Sequence, residues 1–265
     1  MAAPKEDEKK HFVLVHGACH GAWCWYKLKP RLVSAGHRVT AIDLSASGIN
    51  TKKIQDVRSM SEYSQPLLEL ISSLPSHEKV VLVGHSLGGL SLGLAMENFP
   101  HKIFVAVFLT AFLPDTIHQP SYVIDQFCSR TPGDVWLDTQ FRSVGSTEQP
   151  LTSMFFGPNC LSSSLYQLSP IEDLELAKTL IRPGSLFQED LAKEKKFSDK
   201  AYGSVPIVYA VCDEDKAISV EFQRWMIENG GVTDVVEIHG ADHMPMFSKP
   251  QEVCDCLIKI AHKYA

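Results

Sequence analysis

Val80-Val81-Leu82-Val83-Gly84-His85-Ser86-Leu87-Gly88-Gly89 is the stretch on which the reading of this chain turns. An unbroken apolar run from Val80 to Val83 is the pattern of a strand buried on both faces, and the residues from Leu87 to Asn98 carry helical spacing. Between strand and helix, Gly84, Ser86 and Gly88 spell G-x-S-x-G in the context that gives the pattern meaning. A serine placed there sits on a sharp turn, and the flanking glycines let neighbouring backbones pass close by. Its hydroxyl stands above the sheet at a helix N-terminus, where developing negative charge is favoured. Ser86 is therefore the candidate nucleophile. A serine that merely capped the helix would account for Ser86 alone, not for the partners found elsewhere in the chain.

On either side the same alternation continues. Apolar runs at Phe12–Val15, Arg38–Ile42, Ile103–Leu109, Ile207–Val211 and Asp234–Ile238 read as strands. Candidate helices lie at Trp25–Ala35, Ser61–Leu74, Val220–Asn229 and Gln251–His262. This order predicts an α/β fold: a mostly parallel central sheet with helices on both faces. From Pro114 to Ser204 the alternation breaks into scattered aromatics, Pro and Ser, with short helical patterns such as Ile171–Leu180. A structureless excursion of that length is improbable in a compact domain, so the segment is expected to form an inserted cap over the carboxyl end of the sheet. The expected organisation is a polar tail over 1–10, a core built from 11–113 and 205–265, and a cap over 114–204.

A serine hydroxyl is a weak nucleophile at neutral pH and needs a base, which histidine supplies. On an α/β-hydrolase scaffold the chain order is Ser, acid, His, with the histidine in a loop after the last strand. Of the eleven histidines, His243 in Gly240-Ala241-Asp242-His243-Met244 meets both conditions; His239 belongs to the strand end and His262 to the terminal helix. The acid should follow the preceding strand, where Cys212-Asp213-Glu214-Asp215 offers three carboxylates, and spacing leaves Asp213 and Asp215 level. Ester cleavage passes through an oxyanion that needs two converging amides. One is that of Leu87, after the nucleophile; the other comes from the loop His16-Gly17-Ala18-Cys19-His20-Gly21, where Ala18 is the choice and Gly17 lets the backbone come close.

Composition removes other classes. With 265 residues, 45% hydrophobic and 21% charged, the chain can bury a core without disulfides or metals. A net charge of -6 and no basic run longer than Lys9-Lys10 or Lys195-Lys196 argue against nucleic acid. Seven scattered cysteines with no CxxC pair disfavour a disulfide scaffold or a metal site, and no cofactor is expected. The N-terminus MAAPKEDEKK lacks the apolar centre of a secretory signal, and no run approaches membrane-spanning length. A cytoplasmic protein with reduced thiols and no membrane partner is the expectation. The aromatics and methionines of the cap suit a small, mostly apolar ligand.

Taken together, HFVLVHGACHGAWCWYKLKP, LVGHSLGG, Asp213 to Lys216 and GADHMPM closely resemble the plant methylesterase family, and the likeness runs from about His11 to Tyr264. The resemblance implies Ser86 as nucleophile, His243 as base and Asp215 as acid, with Ala18 and Leu87 as oxyanion donors. It implies hydrolysis of a small methyl ester of a plant hormone or related metabolite, such as methyl salicylate, methyl jasmonate, methyl indole-3-acetate or an alkaloid ester. The partners are then that apolar or aromatic ester and its acid product, and a homodimer is what relatives of this kind imply. An apolar pocket in the salicylate-binding member matches Phe112, Trp136, Met154, Leu186 and Met244, and Phe127 stands where that member has tyrosine; with Gly17 and His85 these are the substrate-binding residues that the resemblance implies. Two alternatives share the scaffold. A hydroxynitrile lyase resembling the more distant plant enzymes would carry threonine at Gly17 and lysine at Met244, and a hormone receptor would bind the acid with little turnover.

Overall fold

The computed structural model describes residues 9–131, 133–144 and 151–265, apart from the side chain of Asp134. Most of the expected tail, residues 1–8, lies outside them. The strands are β1 (His11–Val15), β2 (Arg38–Ile42), β3 (Val80–Ser86), β4 (Ile103–Ala111), β5 (Gln140–Ser143), β6 (Thr152–Phe155), β7 (Gly184–Ser185), β8 (Ile207–Cys212) and β9 (Asp234–Ile238). The helices are α1 (Leu28–Ser34), α2 (Met60–Ser73), α3 (Gly88–Asn98), α4 (Tyr122–Arg130), α5 (Pro158–Cys160), α6 (Ile171–Leu180), α7 (Gln188–Leu191), α8 (Val220–Asn229), α9 (Pro245–Ser248) and α10 (Pro250–Tyr264).

Six strands form one sheet in the order β2-β1-β3-β4-β8-β9, and every pairing in it is parallel. The apolar runs explain the order. β1, β3 and β8 are buried along their whole length and β4 nearly so, because helices cover both faces, whereas the outer strands β2 and β9 are mostly half-buried. The expected helix over Trp25–Ala35 is shorter: Ala22–Trp25 is a 3₁₀ turn and α1 begins at Leu28. At the ends of α2 the local signals act as their chemistry dictates. Ser59 caps the helix by accepting from the Glu62 amide at 3.0 Å. Buried Lys102 donates to the carbonyls of Ile71, Ser72 and Leu74 at its other end. Among the described residues no helix is long and apolar enough to cross a membrane.

Residues 114–204 carry α4 to α7 and the small antiparallel sheet β5-β6-β7. Tyr202 joins the two ends of this stretch by donating to the Pro114 carbonyl at 2.6 Å, and Arg182 reaches back to the carbonyls of Gly48 and Asn50 at 2.9 and 2.5 Å. Chain direction along the large sheet reverses between β1 and β3, since β2 lies outward of β1 while β4, β8 and β9 extend the other way. At such a switch point the loops leaving two neighbouring strands part, and a crevice opens at their carboxyl ends.

Candidate active site

Ser86 ends β3 at that crevice with φ of +53°, a left-handed conformation that a non-glycine residue adopts only when its surroundings impose it. The imposition is visible at Gly88. A Cβ there would lie 2.7 Å from the His16 carbonyl oxygen and 2.9 Å from that of Val15, so the start of α3 presses directly on the end of β1. This contact brings the His16–Gly21 loop beside Ser86. Gly17 completes it, for a Cβ at that position would come within 2.7 Å of the Ser86 Cβ.

From the other side come the loops after β8 and β9. Asp215 Oδ2 accepts from His243 Nδ1 at 2.7 Å, and both side chains are buried. The same oxygen accepts from Thr110 Oγ1 at 2.5 Å, while Oδ1 accepts the amides of Ala217 and Ile218 at 2.7 and 2.9 Å. Asp213 turns away. Its carboxylate takes His239 Nδ1 at 3.0 Å and the Gly240 amide at 2.6 Å, and although partial burial pushes its pKa up, these bonds hold it below the usual carboxylate range. Geometry thus separates two carboxylates that spacing left level. Thr110, at the end of β4, was not legible in the sequence: nothing marks a strand-end threonine as the partner of an aspartate 105 residues away.

The Gly17–Ala18 peptide is oriented by a histidine. His16 Nε2 accepts the Leu44 amide at 3.1 Å, so in its neutral form Nδ1 carries the proton and donates to the Gly17 carbonyl at 2.8 Å. Across a trans peptide the Ala18 N–H points the opposite way from that carbonyl, and Ala18 lines the same cavity as Ser86. His20 repeats the device one residue on, with Nδ1–H donating to the Ala18 carbonyl at 2.8 Å and Nε2 accepting from Tyr166 Oη at 2.7 Å. Burial lowers the pKa of both rings, that of His20 to about 3, which keeps each neutral and each tautomer fixed. Burial likewise pushes the Cys19 thiol up to about 12, so this cysteine supplies no thiolate beside the site.

Ala18, Ser86, Leu87 and His243 face one cavity whose remaining wall is almost wholly apolar. Phe112, Phe127, Trp136, Met154 and Leu186 are on that wall. Gly17, His85 and Met244, read from the sequence as substrate contacts, stand behind it. Gly17 abuts Ser86. His85 precedes Ser86 on a strand, where side chains alternate in direction, and its Nε2 donates to the His243 carbonyl at 2.6 Å. Met244 is fully buried at the N-terminus of α9, its amide bonded to Asp242 Oδ1 at 3.0 Å. The sequence reading missed Phe156, Cys160 and Leu165, and also Ala217 and Ile218, which follow the acid loop. Neither Lys, Arg, Asp nor Glu lines the cavity, and among the described residues no group of His, Cys, Asp or Glu could hold a metal ion.

Residues 12–256 match the model of the Alpha/beta hydrolase family. The chain is 61% identical to salicylic acid-binding protein 2 of Nicotiana tabacum over 257 residues, which cover 97% of this chain and 99% of that one. It is 60% identical to methylesterase 1 of Arabidopsis thaliana over 261 residues, 98% and 99% of the two chains. The crystal structure of polyneuridine aldehyde esterase superposes with a TM-score of 0.94 at 54% identity, covering 96% of this chain and 99% of that one.

Proposed function

Because this chain belongs to the alpha/beta hydrolase family, we propose that it is a serine carboxylesterase acting on small methyl esters, with Ser86, His243 and Asp215 as its triad. The observation that carries the reading is the Asp215–His243 pair opening, together with Ser86, on a single apolar cavity. In this scheme His243, held by Asp215 with its proton on Nδ1, accepts the Ser86 proton through Nε2 as Oγ attacks the ester carbonyl. The amides of Ala18 and Leu87 receive the oxyanion, His16 having already aimed the first of them. As the tetrahedral intermediate collapses, imidazolium protonates the departing methoxide oxygen to release methanol, and a water activated by the same imidazole then hydrolyses the acyl-enzyme and frees the acid. Segment 114–204 serves as a cap whose Trp136, Met154 and Leu186 wall the acyl side of the cavity.

An uncharged, largely apolar acyl group fits a lining that offers no cation to a carboxylate or phosphate. For the same reason the cavity has no ammonium to receive a departing cyanide, and Met244 is withdrawn from it. Methyl esters of salicylate, jasmonate and indole-3-acetate and an alkaloid aldehyde ester, assayed for released acid, test the reading. The expected result is one preferred ester, with turnover in Ser86→Ala below about one hundredth of wild type because no acyl-enzyme can form. Undiminished hydrolysis by that variant would refute the mechanism.

A further inference from the structure

A tight turn in the cap, Tyr166-Gln167-Leu168-Ser169, touches three of the four segments that carry the proposed chemistry, all but the Ser86-Leu87 turn. It is closed by the Ser169 amide donating to the Tyr166 carbonyl at 3.1 Å and lies between Leu165 and the start of α6. Each of its four residues donates one hydrogen bond to the core. Tyr166 Oη donates to His20 Nε2 at 2.7 Å, on the oxyanion loop. Gln167 Nε2 donates to the Glu214 carbonyl at 2.6 Å, on the acid loop. The Leu168 amide and Ser169 Oγ both donate to Asp242 Oδ2, at 3.0 and 2.8 Å, on the loop of His243.

The receiving groups are themselves tied to the reacting atoms. Behind Tyr166, the proton on His20 Nδ1 fixes the Ala18 carbonyl. Asp242 is fully buried and immediately precedes His243; its other oxygen accepts the Met244 amide at 3.0 Å and Ser248 Oγ at 2.7 Å. The acid and base loops also meet directly, through the Glu214 amide and the Ala241 carbonyl at 3.1 Å. Stacking of Tyr166 on His20 and on Phe247 leaves the tyrosine little freedom. Three loops from three separate strands therefore share one four-residue clamp that belongs to none of them.

We propose that Tyr166–Ser169 is a positioning brace: the cap sets the mutual register of oxyanion donor, base and acid through this turn, as well as walling the cavity. The inference rests on the esterase reading above. Small misplacements of such groups are costly, since preorganised donors act only at the distance and angle at which the charge develops.

Tyr166→Phe and Ser169→Ala each remove a single oxygen, and both are tested with their double variant. The measurements are kcat and KM on the preferred ester, Kd of the product acid, and Ki of a neutral boronic acid that adds to Ser86 and places a tetrahedral anion in the hole. Each single variant is expected to lose about tenfold in kcat while KM and product affinity stay within about twofold. Boronate affinity should fall by the same factor as kcat, and the double variant should lose less than the product of the two single losses, as for residues acting through one element. A kcat within about twofold of wild type in both singles overturns the brace. So does a loss matched by an equal loss of product affinity, which marks general loosening. Were the wild-type protein inert toward every ester, the esterase reading would fail, and the boronate ratios would still decide the brace.

Discussion

Asp215→Asn changes one atom, and the four bonds around the carboxylate dictate how the site must respond. Oδ1 receives two backbone N–H groups, from Ala217 and Ile218, and Oδ2 receives the Thr110 hydroxyl and His243 Nδ1–H. An asparagine has one acceptor oxygen and one donor nitrogen. The two amides belong to the backbone and cannot turn, so the oxygen must stay with them. The new NH₂ then faces Thr110 and His243. Thr110 can rotate its hydroxyl to accept; His243 can accept only by moving its proton to Nε2, the nitrogen that must take the proton from Ser86. Loss of the working tautomer with geometry preserved costs about 10⁴-fold in kcat, equivalent to about 5 kcal/mol of transition-state stabilisation. Asp213→Asn disturbs only the exposed contacts to His239 and Gly240 and should leave kcat within about twofold. Steady-state kinetics of both variants on the preferred ester, beside their thermal midpoints, form the assay. Retention of more than about a tenth of wild-type kcat by a folded Asp215→Asn protein, or an equal loss in Asp213→Asn, would refute this account of the acid.

The same geometry sets two further expectations. Thr110→Val keeps the branched shape at a position with φ of +39° while removing the hydroxyl from Asp215, and a bond to a charged group is worth about 1.5–3 kcal/mol. Its melting temperature should fall and its kcat drop about tenfold, far less than for Asp215→Asn; unchanged values of both would show that the hydroxyl contributes nothing. His16, His20 and His85 are held neutral by burial, with pKa values below that of the unfolded chain. As pH falls below about 6.5 the unfolded state takes up protons that the folded state refuses. The stability these rings contribute is therefore complete above that pH and is lost progressively below it. Urea unfolding at pH 7.5, 6 and 5 checks the sign, and a midpoint that does not move over that range would contradict it.

The strands, and the turn that holds Ser86, were legible because their causes are local. A parallel strand covered on both faces must be apolar without interruption, as at Val80–Val83 and Val105–Leu109, and a turn pressed between a strand and a helix demands glycine at Gly88. The loop after the last strand holds two histidines, because β9 ends at Ile238 and leaves His239 outside it; the structure separates them, His239 meeting the exposed Asp213 and His243 the buried Asp215. The choice between Asp213 and Asp215, two residues apart in an acidic loop, was not local: it depends on which carboxylate meets an imidazole and a threonine arriving from two other strands. The wall of the cavity obeyed the same rule, and alternation along β3 carried His85 behind it. Sequence by itself determined the elements, their order and the turn that presents Ser86, since propensity, period and turn chemistry act between near neighbours. Only the tertiary structure decided which acid and which threonine meet around His243, and which turn of segment 114–204 bonds to the loops beside it, because hydrogen bonds between distant loops depend on where the sheet and that segment bring their ends together.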